Sequence, residues 1–192
     1  MFKNLKIGAR LGIAFAVILA MMAVLAYVGI TRMAAIKANL DIVVNENNVK
    51  TQLANDMRGQ INIIARSVRN VALITEDEGM KKESDRIVEA RAKYKEMRDK
   101  LSALLKTEAA KKIMEDIDAD QAKTGPLVDK AVALGLANKN EQATAVILNE
   151  VRGPQGKWID DINAMVTRQM AQTAELVDQA GKDYGVFSEW CG

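Results

Sequence analysis

Leu53-Ala54-Asn55-Asp56-Met57-Arg58-Gly59-Gln60-Ile61-Asn62-Ile63-Ile64-Ala65-Arg66-Ser67-Val68-Arg69-Asn70-Val71 is the stretch that decides the fold. Leu53, Met57, Ile61, Ile64, Val68 and Val71 recur in steps of three and four, which draws one apolar stripe down a helix of about 3.6 residues per turn. The stripe begins upstream, at Met33, Ile36, Leu40 and Val43. One helix is therefore predicted from about Met33 to Ile74, roughly 60 Å long at about 1.5 Å per residue. Thr75-Glu76-Asp77-Glu78-Gly79 is a polar break in which glycine can take a turn conformation.

Three more amphipathic segments follow. The second is predicted over about Met80–Lys106, with Ile87, Ala90, Tyr94, Met97, Leu101 and Leu104 inward. Thr107 suits an N-cap and Glu108 the first turn of a third helix, which reaches Leu136 with Ile113, Ile117, Ala131 and Leu134 inward. Gly125-Pro126 is expected to bend it, because proline lacks the amide donor. Asn138-Lys139-Asn140 punctuates its end. The fourth helix starts near Asn140, is expected to kink at Gly153-Pro154, and runs to about Tyr184. Its packing face is Trp158, Ile159, Ile162, Val166, Met170, Thr173, Leu176, Val177 and Ala180. Four amphipathic helices joined by short polar turns predict an all-α, up-down-up-down four-helix bundle. Nothing alternates as a half-buried strand would.

Upstream, Leu11 to Thr31 contains no charged residue and is bounded by Arg10 and Arg32. About 20 apolar residues span a hydrocarbon core about 30 Å thick. Lys3, Lys6 and Arg10 precede the run with no acidic residue among them, which places the N-terminus on the cytoplasmic side. A cleaved secretory signal is the rival reading; its apolar core is shorter, at about 7–15 residues. The expected organisation is a basic segment at 1–10, a single membrane span at 11–31, an exported bundle at 32–184 and a C-terminal tail at 185–192. The bundle is thus expected to be membrane-anchored.

Composition excludes several classes of function. The net charge is only +2, with basic and acidic residues interspersed and 4% aromatics, so no nucleic-acid partner is expected. The chain has no histidine, which removes the commonest general base and metal ligand, and the Glu-x-x-His pairs of di-iron bundles with them. Cys191, the only cysteine, sits next to last. Met33, Met57, Met97, Met165 and Met170 read as core filler rather than a metal site. Glu108–Lys112 and Glu115–Asp120 read as solvated helix surface. No phosphate loop or nucleophile elbow is present, so neither an enzyme nor a cofactor is expected.

Four stretches carry a family resemblance. Met1-Phe2-Lys3-Asn4-Leu5-Lys6-Ile7-Gly8-Ala9-Arg10-Leu11-Gly12 resembles the start of bacterial methyl-accepting chemotaxis proteins. Ile63-Ile64-Ala65-Arg66-Ser67-Val68-Arg69-Asn70 and Ile87-Val88-Glu89-Ala90-Arg91-Ala92-Lys93-Tyr94 resemble the family's first two sensor helices. Leu148-Asn149-Glu150-Val151-Arg152-Gly153-Pro154-Gln155 resembles the approach to its fourth. The resemblance implies a periplasmic sensor bundle in the inner membrane that dimerises and reports a small ligand in chemotaxis. A second apolar run does not follow the fourth helix. The expectation is therefore a fragment, a truncated product, or a sensor that works with another membrane protein.

Arg58, Asn62, Arg66 and Arg69 step by four, four and three, which places them on roughly one helix face. Guanidinium forks grip carboxylates in bidentate fashion. In the aspartate-type receptors of that family, arginines at a comparable position hold a dicarboxylate, which implies that Arg58, Arg66 and Arg69 bind an anion, with Asn62 as a neutral helper. Gln155, Lys157 and Trp158 of the fourth helix are the groups expected to close the pocket. The plainer reading leaves the arginines solvated or paired with Asp56, Glu76, Asp160 or Asp161. The alternative function is an anchored helical interaction protein, or the sensor half of another signalling protein, without a small-molecule ligand.

Overall fold

The computed structural model describes residues 7–191, all but a few of them helical. Lys3, Lys6 and the first half of the Met1–Gly12 resemblance lie outside the described residues, as does Gly192. The helices are α1 (Ile7–Ile42), α2 (Asn48–Leu73), α3 (Asp77–Leu104), α4 (Glu108–Leu136), α5 (Asn140–Val146) and α6 (Arg152–Cys191). Two five-residue π-helical segments, π1 (Val43–Asn47) and π2 (Ile147–Val151), interrupt the sequence of α-helices. No strand occurs among the described residues, and the predicted all-α four-helix bundle is present.

The chain divides into two units. One comprises the segments up to Val43 and from Ala174. Its α1 carries the apolar run, long and apolar enough to cross a membrane, with Leu11, Phe15, Ile18, Met22 and Leu25 all exposed. The one hydroxyl at the end of the run is satisfied locally: Thr31 Oγ1 donates toward the Val28 carbonyl at 2.9 Å and the Tyr27 carbonyl at 3.1 Å. Met33 and Leu40, predicted to lie on the buried stripe, are exposed at 72% and 51%. The segment lies outside the bundle unit, which begins at Val44. The C-terminal residues predicted as a tail continue α6 to Cys191.

The other unit, Val44–Thr173, is the bundle. Residues 74–76 join α2 to α3, residues 105–107 join α3 to α4, and residues 137–139 join α4 to α5. Each junction has a chemical cause. The Ile74 amide closes α2 on the Asn70 carbonyl at 2.9 Å and the chain turns extended. Asp77 and Glu78 occupy the first turn of α3, where negative charge suits the helix dipole. Thr107 caps α4 as predicted, its hydroxyl accepting the Ala110 amide at 3.3 Å. At the end of α4, Asn138 takes φ 56°, a left-handed conformation that asparagine tolerates. The Lys139 amide then reaches the Leu134 carbonyl at 2.9 Å and the Asn138 amide the Gly135 carbonyl at 2.8 Å, a Schellman closure. Just before it, Gly135 lies so close to α2 that a Cβ there would sit 2.8 Å from the Val71 carbonyl oxygen.

The predicted stripes of α2 and α3 form the core. Ala54, Met57 and Ile61 pack with Tyr94, Leu101, Met114, Ile117, Trp158, Ile162 and Met165 in one cluster. Ile64 and Val68 pack with Ile87, Ala90, Val128, Ala131, Val146 and Val151 in the other. α4 runs through Pro126 without interruption. In the fourth helix the irregularity is π2, immediately upstream of Pro154, whose nitrogen cannot donate to the preceding turn.

Two further expectations are corrected. Met170 is 61% exposed and Val177 is 55% exposed, whereas Met165 and Gln169 turn inward. After Ile162 the buried face advances by three and then four residues, a heptad-like step that the apolar Met170 obscured. Asp120, predicted on the solvated face, is 2% exposed. Lys157 Nζ meets its Oδ2 at 2.7 Å and Asp161 at 2.9 Å, and Lys123 stands 3.7 Å from Oδ1.

Burial pushes the Asp120 carboxyl up, but the hydrogen bond from Lys157 and the neighbouring charges outweigh it and hold it below the usual carboxylate range. A carboxyl depressed in the folded state adds stability that is complete well above its ordinary value of 3.8 and is lost as pH falls through the depressed one. Lys157→Met is therefore expected to lower the melting temperature by a few degrees at pH 7, because it strands a buried carboxylate. The gap to the parent should narrow below pH 4. A gap that stays constant from pH 7 to pH 3 would contradict this account.

Candidate functional site

α2 and the stretch from π2 into α6 enclose a groove of about 410 Å³. From α2 come Asn62, Ala65, Val68 and Arg69; Ile147, Leu148 and Val151 come from π2, and Arg152, Gln155, Gly156 and Ile159 from α6. Steps of three and four on α2 put its four residues on one face. Across the groove, π2 sets the positions of Leu148 and Val151 relative to Arg152. Gly156 leaves room, since a Cβ there would meet nothing within 4 Å.

The polar groups of this groove are mostly donors. Arg69 spends its Nε on the Ala65 carbonyl at 3.0 Å. No carboxylate pairs with Arg69 or Arg152 among the described residues, and both are exposed. The side-chain amide nitrogen of Gln155 is buried and has no acceptor. A buried donor left unmade costs about 1–3 kcal/mol, so such groups mark places where an acceptor belongs. No acidic residue lines the groove. Two guanidinium groups without a carboxylate partner and a buried amide nitrogen without an acceptor suit a small anion with carboxylate-type oxygens.

The structure separates the residues that the sequence grouped. Asn62 and Arg69 line the groove. Arg58 is half-buried further along α2, where Nη1 donates to Asn163 Oδ1 and Nη2 to Asn55 Oδ1, each at 2.8 Å. Arg66 is exposed and does not line the groove; at about 100° per residue it lies some 80° round the helix from Arg58. The carboxylates offered as partners do not take these arginines. Asp56 accepts from Gln52, and Asp161 accepts from Lys157. Lys157 faces Asp120 and does not line the groove. Trp158 is 4% exposed, and its Nε1 donates to the Tyr94 hydroxyl at 2.9 Å.

Arg152 joins the site although the sequence reading passed over it. A signal for it is present. Three or four residues to either side of Arg152 stand Leu148, Asn149, Gln155 and Gly156, none of them acidic. The same is true of Arg69, and between Asp56 and Glu76 there is no acidic residue at all. Arg66 shares this lack of acidic neighbours, so the signal marks arginines without a carboxylate in helical reach and does not by itself select those of the groove.

A search of curated proteins found no match for the chain. A family model described as a four helix bundle sensory module for signal transduction matches residues 4–184. That match spans both arms of the groove, the capped turns between the helices and the apolar helix α1. The chain belongs to the four-helix-bundle sensory modules of methyl-accepting chemotaxis proteins.

Proposed function

We propose that this sensory module is the periplasmic domain of a chemoreceptor, and that it binds a small carboxylate or amino acid in the groove between α2 and α6. The observation that carries the proposal is the pairing of two carboxylate-free guanidinium groups, Arg69 and Arg152, with the buried, unpartnered amide of Gln155. α1 anchors the domain in the inner membrane, with the basic N-terminal head inside. The exposed apolar residues Met33 and Leu40 give α1 a face for a second copy, in keeping with a parallel homodimer. A bound anion bridges α2 to the start of α6. It moves the helices only as far as its affinities for two arrangements differ.

A thermal-shift screen of the full chain in mild detergent against small carboxylates and amino acids tests the proposal. Ligand at about 100 times its dissociation constant adds about 2.7 kcal/mol to the folded state, a readily measured rise in melting temperature. The rise should vanish in Arg69→Ala and in Arg152→Ala and persist in Arg66→Ala. A rise that survives loss of both groove arginines would place the ligand elsewhere. If no compound gives a rise, direct carboxylate sensing is wrong.

A further inference from the structure

The groove between α2 and α6 does not end at Arg69 and Arg152. A second groove, of about 530 Å³, adjoins it, and Leu148 lines both. On α2, Ala72 and Leu73 follow Arg69 by three and four residues and so carry its face onward. Opposite them, Thr144 and Glu141 precede Leu148 by four and seven residues. The chain is helical without a break from Asn140 through π2 into α6, so one channel runs along it.

This channel has opposite poles. At one stand Arg69 and Arg152, with the buried side-chain amide nitrogen of Gln155 that has no acceptor. At the other stand Glu141, exposed and without a cation beside it among the described residues, and Asn140, whose side-chain oxygen is buried and has no donor. Buried polar groups are as a rule paired, so the first pole has room for an acceptor and the second for a donor. Between the poles, Leu73 and Leu148 are 72% and 57% exposed. Thr144 and Asn149 stand beside them with a hydroxyl and an amide, groups that can pair with peptide N–H and C=O. Glu141 and Arg152 are eleven residues apart, roughly 16 Å along the helices at about 1.5 Å per residue. An extended chain covers about 3.3–3.6 Å per residue, so about four or five residues reach from pole to pole. A free amino acid is too short to do so.

We propose that the acid held between α2 and α6 is the C-terminal carboxylate of a short aliphatic peptide, about four residues long. The carboxylate takes Arg69, Arg152 and the Gln155 amide, and the N-terminal ammonium takes Glu141 and the Asn140 oxygen. Small aliphatic side chains cover Leu73 and Leu148. This rests on the carboxylate reading of the α2–α6 groove and adds to it a second pole and a length.

The test is isothermal titration calorimetry of the full chain in mild detergent with alanyl-valyl-alanyl-alanine. Saturable binding is expected. Acetylating the amino end of the peptide should weaken it at least tenfold, and so should Glu141→Gln. In Glu141→Gln the acetylated and free peptides should bind alike, because both changes remove the same interaction. Amidating the carboxyl end should also weaken binding at least tenfold, and by less in Arg152→Ala. Free alanine should bind at least tenfold more weakly than the tetrapeptide. The proposal is overturned if the tetrapeptide does not bind, if acetylation leaves its affinity unchanged, or if free alanine matches it. In each of those cases the carboxylate reading still stands when a small carboxylate raises the melting temperature through Arg69 and Arg152, and falls as well when none does. If the amidated peptide binds as tightly as the acid, both are wrong. Acetylation and amidation alter only the peptide, so these outcomes do not depend on whether a variant folds.

Discussion

Trp158→Ala is expected to lower the stability of the bundle by about 4 kcal/mol, the upper part of the range for removing a large buried aromatic side chain. Three losses combine. The indole is 4% exposed in the cluster of Met57, Ile61, Ile117 and Ile162, so its removal opens a cavity that rigid helices close poorly. Its edge-to-face contact with Tyr94, with ring centroids 5.0 Å apart at 69°, disappears. The Tyr94 hydroxyl, deep in the core, loses the indole N–H as its donor at 2.9 Å. Burial already pushes the Tyr94 phenol up, so it remains neutral and has no charge with which to draw water in. Trp158→Phe isolates the last loss. It keeps an aromatic ring and should cost about 1–2 kcal/mol. Urea unfolding of the two variants checks both figures. A change below about 0.5 kcal/mol for Trp158→Ala would mean that the residue is not core.

Gly135→Ala should give the second large effect, with a sign opposite to helix propensity. In the middle of a helix, exchanging glycine for alanine adds about 1 kcal/mol. At Gly135 the new methyl would stand 2.7 Å from Val71 Cγ1 and 2.8 Å from the Val71 carbonyl oxygen. The side-chain carbon can rotate away, but the carbonyl belongs to the backbone of α2. Relief requires α4 and α2 to separate at this contact. A net loss of about 2 kcal/mol is expected, as for overpacked cores. Gly125→Ala is the matched control in the same helix. Its methyl meets nothing within 4 Å, and it should gain about 1 kcal/mol. Melting temperatures of the pair, measured side by side, should move in opposite directions. Movement in the same direction would show that propensity, not the Val71 contact, rules both positions.

The bundle was legible because its buried residues repeat with the helical period where helices pack on both sides. Met57, Ile61, Ile64, Val68 and Val71 on α2 and Ile87, Ala90, Tyr94 and Leu101 on α3 are buried as their spacing predicts. Thr107 and the turn at Asn138 were equally readable, since each places a particular side chain where the backbone needs one. Hydropathy failed where polarity and burial part company. Gln169 and Asp120 are polar and inward, Met170 apolar and outward, and only the neighbouring helices decide such cases. Both π segments were invisible, because an extra residue per turn leaves little trace in composition. For the groove, one face of α2 was readable, but a helix face is wider than a site. Arg58 was drawn off by Asn163, a partner more than a hundred residues away in sequence. Trp158, offered as a group closing the pocket, is buried with its indole N–H on the Tyr94 hydroxyl, a partner 64 residues away in sequence.

Every cation of the groove between α2 and α6 is a guanidinium group, and the chain contains no histidine. Guanidinium groups keep their charge throughout the physiological range, and amides do not titrate in it. The charge of that groove is therefore set by groups that do not respond to acidity in that range. An anion held there, as proposed, would meet the same two positive charges in acidic surroundings as in neutral ones.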